Sequence, residues 1–187
     1  MKRIQYNSPV VLTFALLSLG VLLLGRLTGG TSTTLLFCVY RSSLADPLTY
    51  VRMFTHVLGH AGFQHYINNI LLMLVVGPPL EEKYGSRTLL ITMVVTAFIA
   101  GLVQWAFFPN TALLGASGLV FMMIVLSAMA GMRGGRIPLT LIFVVIYYLG
   151  GEIIDGLFAE DNVSQLTHLI GGVCGAFAGF IIAKSRR

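Results

Sequence analysis

Ser117 stands in the run Leu114-Gly115-Ala116-Ser117-Gly118-Leu119-Val120-Phe121, where a long apolar stretch begins. A serine between two glycines at a helix start suits a nucleophile. The glycines let backbone approach closely and take unusual dihedrals. The helix start offers free N–H groups and the positive end of a dipole to a developing oxyanion. Serine needs an adjacent base, and His168 is the candidate. A tetrahedral intermediate needs fixed donors, and His65, Asn69 and the Ser117 N–H can supply them. His65 and Asn69 are spaced i, i+4 and share a helix face, with Asn68 at i+3 as competitor. His168 shares a stripe with Gly171, Gly175 and Gly179, two overlapping GxxxG units that permit close helix contact. Packing of that stripe on the helix begun by Ser117 brings His168 beside the serine. Phe121, one turn below Ser117, is then placed to stack on the imidazole. Glu152 and Asp155 are the nearest acids that could orient His168, but they more simply solvate a helix end, and a Ser-His dyad is the economical reading. The same small residues serve plain packing in many membrane helices, and Asn often serves as interhelical glue. His56, His60 and His65 are spaced 4 and 5 apart, which does not keep all three on one face. No Cys or acid joins them, so no metal site is expected.

The elements that position these groups belong in lipid. Of the 187 residues 56% are hydrophobic and 10% charged, and the mean hydropathy is +0.86. A span needs about 20 mostly apolar residues. Windows at 8–27, 64–82, 87–107, 116–132, 137–156 and 165–184 qualify, which predicts an all-α membrane protein, a six-span bundle forming one domain over 1–187. The one sizeable connection is 28–63. Gly77-Pro78-Pro79 is expected to end span two, with 81–86 turning into span three. Trp105 to Phe108 and Tyr147-Tyr148 read as interfacial or lipid-facing aromatics.

With a cytoplasmic N-terminus, Lys2, Arg3, Lys83, Arg87, Arg133, Arg136, Lys184, Arg186 and Arg187 fall inside and Arg26, Arg41 and Arg52 outside, nine against three. The net charge of +5 then marks cytoplasmic boundaries and anionic lipid, not nucleic acid. Cys38 and Cys174 have no metal or redox spacing. Even-numbered spans begin outside, so Ser117, His168, His65 and Asn69 all fall at the same outer depth. Polar groups inside spans are functional suspects by default.

Three short motifs in this order resemble the rhomboid intramembrane serine proteases across nearly the whole chain. They are Gly115-Ala116-Ser117-Gly118, like the family's GxSG; His60 through His65 to Asn69, like its span-two motif; and His168 with Gly171 and Gly175, like its span-six stripe. Arg52-Met53-Phe54-Thr55-His56 is similar to the run leading into the second motif. The resemblance implies a six-span rhomboid-like bundle with Ser117 as nucleophile, His168 as base and His65, Asn69 and the Ser117 backbone as oxyanion donors. It also implies a water-filled cavity open to the outside, a first loop lying partly in the outer leaflet, and span five as the mobile side. Val51 precedes Arg52 where the family often has Trp. Phe121 stands where Tyr is frequent, keeping the ring and losing the hydroxyl.

The expected function is cleavage of transmembrane segments of membrane proteins, with no cofactor. The expected location is a bacterial inner membrane, multi-pass, with both termini cytoplasmic and the site opening outward. Partners are transmembrane substrates and lipids, with no nucleic acid. An inactive rhomboid-like protein that binds membrane helices is disfavoured because both dyad members are present. A small transporter is disfavoured by the lack of deep acidic pairs and of repeats.

Overall fold

The computed structural model describes residues 5–130, 136, 139–144, 146 and 163–185. Among them the elements are α1 (Pro9–Leu27), α2 (Thr31–Leu36), β1 (Val39–Tyr40), α3 (Pro47–Thr55), a 3-10 turn (His56–Leu58), α4 (Phe63–Tyr84), α5 (Ser86–Phe107), β2 (Ala112–Leu113), α6 (Ser117–Met129), α7 (Leu139–Val144) and α8 (Val163–Ser185). The chain is an all-α bundle, with one short antiparallel strand pair as the only sheet among the described residues. α1 and α5 are long and apolar enough to cross a membrane, while α6 and Leu166–Ile182 of α8 are shorter apolar helices. Most of the range expected for span five, with Glu152, Asp155, Tyr147 and Tyr148, lies outside the described residues.

α6 is the hub. Residues 118–126 are buried at every position, against α4, α5 and α8. A helix that is apolar all round belongs at the centre of such a bundle. The outer helices are apolar outward as well: Leu16, Leu23, Leu90, Val94, Phe177 and Ile181 are exposed. That pattern suits hydrocarbon rather than water as the solvent.

The proline pair does not end span two. α4 runs through Pro78 and Pro79 to Tyr84, and Gly85 alone, at φ +86, turns the chain into α5. The end of α4 is held from outside. The buried Glu81 carboxylate accepts the Val10 N–H at 2.9 Å, the Val11 N–H at 3.1 Å and the Ser86 hydroxyl at 2.7 Å. These are otherwise unsatisfied donors of the first turn of α1, where an anion is favoured. Gly77 lets α1 close on α4, since a Cβ there would lie 2.7 Å from Val11 Cγ2.

The first connection is folded around Arg52, which is 2% exposed. Its guanidinium donates to Leu35 O at 3.2 Å, Tyr40 Oη at 3.1 Å, Ser42 Oγ at 3.1 Å and Asp46 Oδ2 at 2.7 Å, with its Cζ over the Tyr40 ring. Asp46 also caps α3 through the Leu48 N–H, with Pro47 supplying the first helical residue. That N–H first, and Arg52 second, hold the Asp46 carboxyl below its usual pKa. Trp105 is not simply a lipid-facing ring. Its indole N–H donates to Ser42 O at 2.9 Å and Arg41 lies 4.6 Å over its ring, so it fastens the connection to α5.

Candidate active site

The serine segment is tied down before the helix begins. β1 and β2 pair antiparallel, Val39 with Leu113 and Tyr40 with Ala112, joining the first connection to the strand leading to Ser117. Gln104 Nε2 donates to Thr111 O at 3.1 Å, fixing the same strand to the end of α5. Gly115 follows with φ +124, a conformation that L side chains rarely adopt. Its N–H donates to the His56 carbonyl at 3.0 Å. Ser117 is then the first residue of α6 and half-buried. As a first-turn residue its N–H is a donor that the helix itself does not use.

α8 brings His168 to that helix face. A Cβ on Gly171 would overlap the Gly118 carbonyl, one on Gly175 would overlap the Met122 carbonyl, and one on Gly179 would lie 2.8 Å from Met129 Sδ. The glycine stripe is therefore the contact surface between α8 and α6. Thr167 packs its Cγ2 against Gly118 at the same level, 3.0 Å from where a Cβ would stand. The His168 ring lies flat on Phe121, with centroids 4.4 Å apart and planes within 4°. Phe121 is four residues after Ser117 and shares its face. The sequence expectation that this phenyl stacks on the imidazole corresponds to that geometry.

α4 supplies the other side. The His65 ring lies against Gly115, with Cε1 and Nε2 each 2.8 Å from the position of a Cβ on that glycine. Any side chain at 115 would displace the ring. Asn69, one turn along α4, is buried, and its Nδ2 donates to the His65 carbonyl at 2.9 Å. The amide keeps a second N–H. Asn68 is exposed and accepts from Gln64 at 2.8 Å on the outer surface of α4. The two asparagines are thus separated, and only Asn69 faces the interior.

His56 and His60 have other work. His56 is buried with Nε2 donating to Ala97 O at 3.1 Å, and His60 Nδ1 donates to Leu58 O at 3.2 Å. His60 lies edge-on to both His65 and Tyr66, at 5.1 and 5.6 Å between centroids. Burial pushes the pKa of each down to about 4, with the nearby His65 charge adding to the effect at His60. Both are neutral at pH 7. The tie from His56 to Gly115 was not evident from the motifs, although the run ending at His56 stood out as a motif. The positive φ of Gly115 had only the glycine itself as its signal.

These helices form a membrane-type bundle that gathers a serine, two histidines and an asparagine onto facing surfaces at one end of its central helix. The Rhomboid domain family matches residues 47–185, and the chain belongs to that family, whose members are integral membrane proteins. It is 29% identical over 140 residues to rhomboid-related protein 1 of Caenorhabditis elegans, covering 70% of this chain and 39% of that protein. It is 28% identical over 160 residues to rhomboid-related protein 2 of Mus musculus, covering 74% and 53%. It is also 28% identical over 143 residues to the rhomboid protease GlpG of Salmonella choleraesuis, covering 72% and 50%. The chain spans about half the length, or less, of these relatives.

Proposed function

We propose that the chain is an intramembrane serine endopeptidase that cleaves transmembrane segments of membrane proteins. The carrying observation is the flat stack of His168 on Phe121, one turn from Ser117 on the same face of α6. In this reading Ser117 Oγ attacks the scissile carbonyl carbon and its proton passes to His168. The carbonyl oxygen becomes an oxyanion held by the Ser117 N–H, His65 and Asn69. Collapse expels the amine, which takes the proton from His168, and leaves an acyl ester on Ser117. Water, deprotonated by the same imidazole, then releases the acid and restores the serine. Substrates are helices that unwind locally, because an intact helix keeps its carbonyls hydrogen-bonded and shielded. The proposed setting is a bacterial inner membrane with both termini cytoplasmic, the site opening outward, and lipids and transmembrane substrates as the partners.

The test is cleavage of a single-span substrate in liposomes, with fluorophosphonate labelling alongside. Ser117→Ala and His168→Ala should each abolish cleavage, and the double variant should be no worse than either, because such groups act as a unit. Labelling should fail in both single variants. Residual turnover above a few per cent in Ser117→Ala, or losses that multiply in the double variant, would remove the dyad from the mechanism.

A further inference from the structure

The Gly115 peptide links the β2 strand to the serine that opens α6. It has no side chain to hold it, it sits at φ +124, and it forms the seat of the His65 ring. One carbonyl meets its N–H, that of His56 at 3.0 Å, and the same oxygen accepts the Gly59 N–H at 3.1 Å to close the 3-10 turn. The residue that carries this carbonyl also carries the His56 ring, which is 1% exposed and donates through Nε2 to Ala97 O in the buried face of α5. A continuous path thus runs from α5 through the His56 ring, its own carbonyl and Gly115 to Ser117.

We infer that His56 is a positioning residue for the serine, acting through its backbone carbonyl on Gly115. It does not act as a metal ligand or as a proton carrier. Its ring turns toward α5 and its carbonyl toward the site. The ladder between β1 and β2 fixes the strand only as far as Leu113, leaving the Gly115 peptide to the His56 carbonyl and the His65 ring. A shift of about 1 Å in a reacting group lowers rates by as much as ~10²-fold. Loss of the Ala97 bond is therefore expected to reach the chemistry without touching it. The inference rests on the proposed serine mechanism for its kinetic readout, and an activity-free readout accompanies it.

Two variants separate positioning from mere burial. Gln carries its amide nitrogen where His carries Nε2, whereas Asn stops at the level of Nδ1. In the full chain in liposomes, His56→Asn should lower kcat and the fluorophosphonate labelling rate of folded protein about 10- to 100-fold, with KM within about twofold, and His56→Gln should restore most of both. Amide hydrogen exchange across 112–118 should accelerate in His56→Asn and not in His56→Gln, whether or not the protein cleaves anything. Equal rates and equal exchange in the two variants, corrected for folded fraction, would overturn the inference. So would a loss confined to KM. A parent protein that neither cleaves nor labels would instead sink the serine mechanism, leaving the exchange result to decide the role of His56.

Discussion

Asn68 and Asn69 are neighbours of identical chemistry that α4 turns to different surroundings. Asn68 reaches Gln64 on the exposed surface, while Asn69 is buried on the face that also carries His65. A donor to an oxyanion must already be in place when charge develops, and a buried amide meets that condition better than a solvated one. Asn69→Ala should reduce turnover by roughly 10²-fold with little change in apparent substrate affinity. Asn68→Ala should leave both near the parent values. Steady-state kinetics on the same single-span substrate provide the check, and a larger loss at Asn68 would reverse the assignment. At this scale the site was legible because polar residues are conspicuous inside apolar runs. Ser117, His168, His65 and Asn69 stand out for that reason, and helical spacing alone placed Phe121 under the imidazole. The spacing left the two asparagines tied, since positions three and four apart both neighbour the same residue. What separated them was burial. The tie from His56 to Gly115 was hidden for a different reason. It runs through a backbone carbonyl, and backbone groups carry no residue type to read.

The helices were legible where their packing repeats with the helix period and obscure where it does not. Gly171, Gly175 and Gly179 recur every four residues and do form the face that α8 lays on α6. Pro78 and Pro79 misled because a proline pair removes two N–H donors and usually stops a helix. Here α4 continues because its last turn is bound to α1 and α5 through Glu81, a long-range contact that no local signal records. The same holds for the Arg52 network and for Trp105, whose partners lie in the short elements and irregular stretches of the first connection, which carry no long periodic pattern. The Glu81 bond set carries a test at the scale of the element. In Glu81→Gln one carboxylate oxygen becomes an NH₂ group facing N–H donors. At least one charge-assisted bond is lost and the attraction to the α1 dipole with it, a destabilisation of about 1.5–3 kcal/mol. Thermal unfolding in detergent should show a lowered midpoint, and limited proteolysis should find the α1 segment cut first. Because Glu81 holds the first turn of α1 at the end of α4 opposite to the one that carries His65, fluorophosphonate labelling at low temperature should stay near the parent rate. An unchanged midpoint would mean that Glu81 does not hold the bundle together.

Across the whole molecule, the first connection, 28–63, joins α1, α5 and the serine strand, so its stability governs the geometry of the site from outside the spans. Two buried histidines make that stability depend on pH. His56 is held at a pKa of about 4 by burial, opposed in part by its bond to the Ala97 carbonyl. His60 is also held at about 4, by burial first and the neighbouring His65 charge second, opposed by the Leu58 carbonyl. In the unfolded chain both return to the ordinary value of 6.5. The unfolded state therefore binds more protons between the two values, and stability rises with pH across that window. The contribution is complete above pH 6.5 and is lost as pH falls through about 4. Asp46 has the same sense at lower pH, because its folded pKa lies below 3.8. The thermal midpoint in detergent should hold above pH 6.5 and decline steadily below it, well before carboxylates protonate. His60→Gln should flatten part of that slope, since the variant has nothing to titrate at that place. His60 also lies edge-on to His65, whose ring rests on Gly115, so any effect of its protonation on fluorophosphonate labelling of the folded protein should appear only as pH nears about 4, the folded value. A midpoint that stays level from pH 7 to 4.5 would contradict this account, as would a His60→Gln profile parallel to that of the parent.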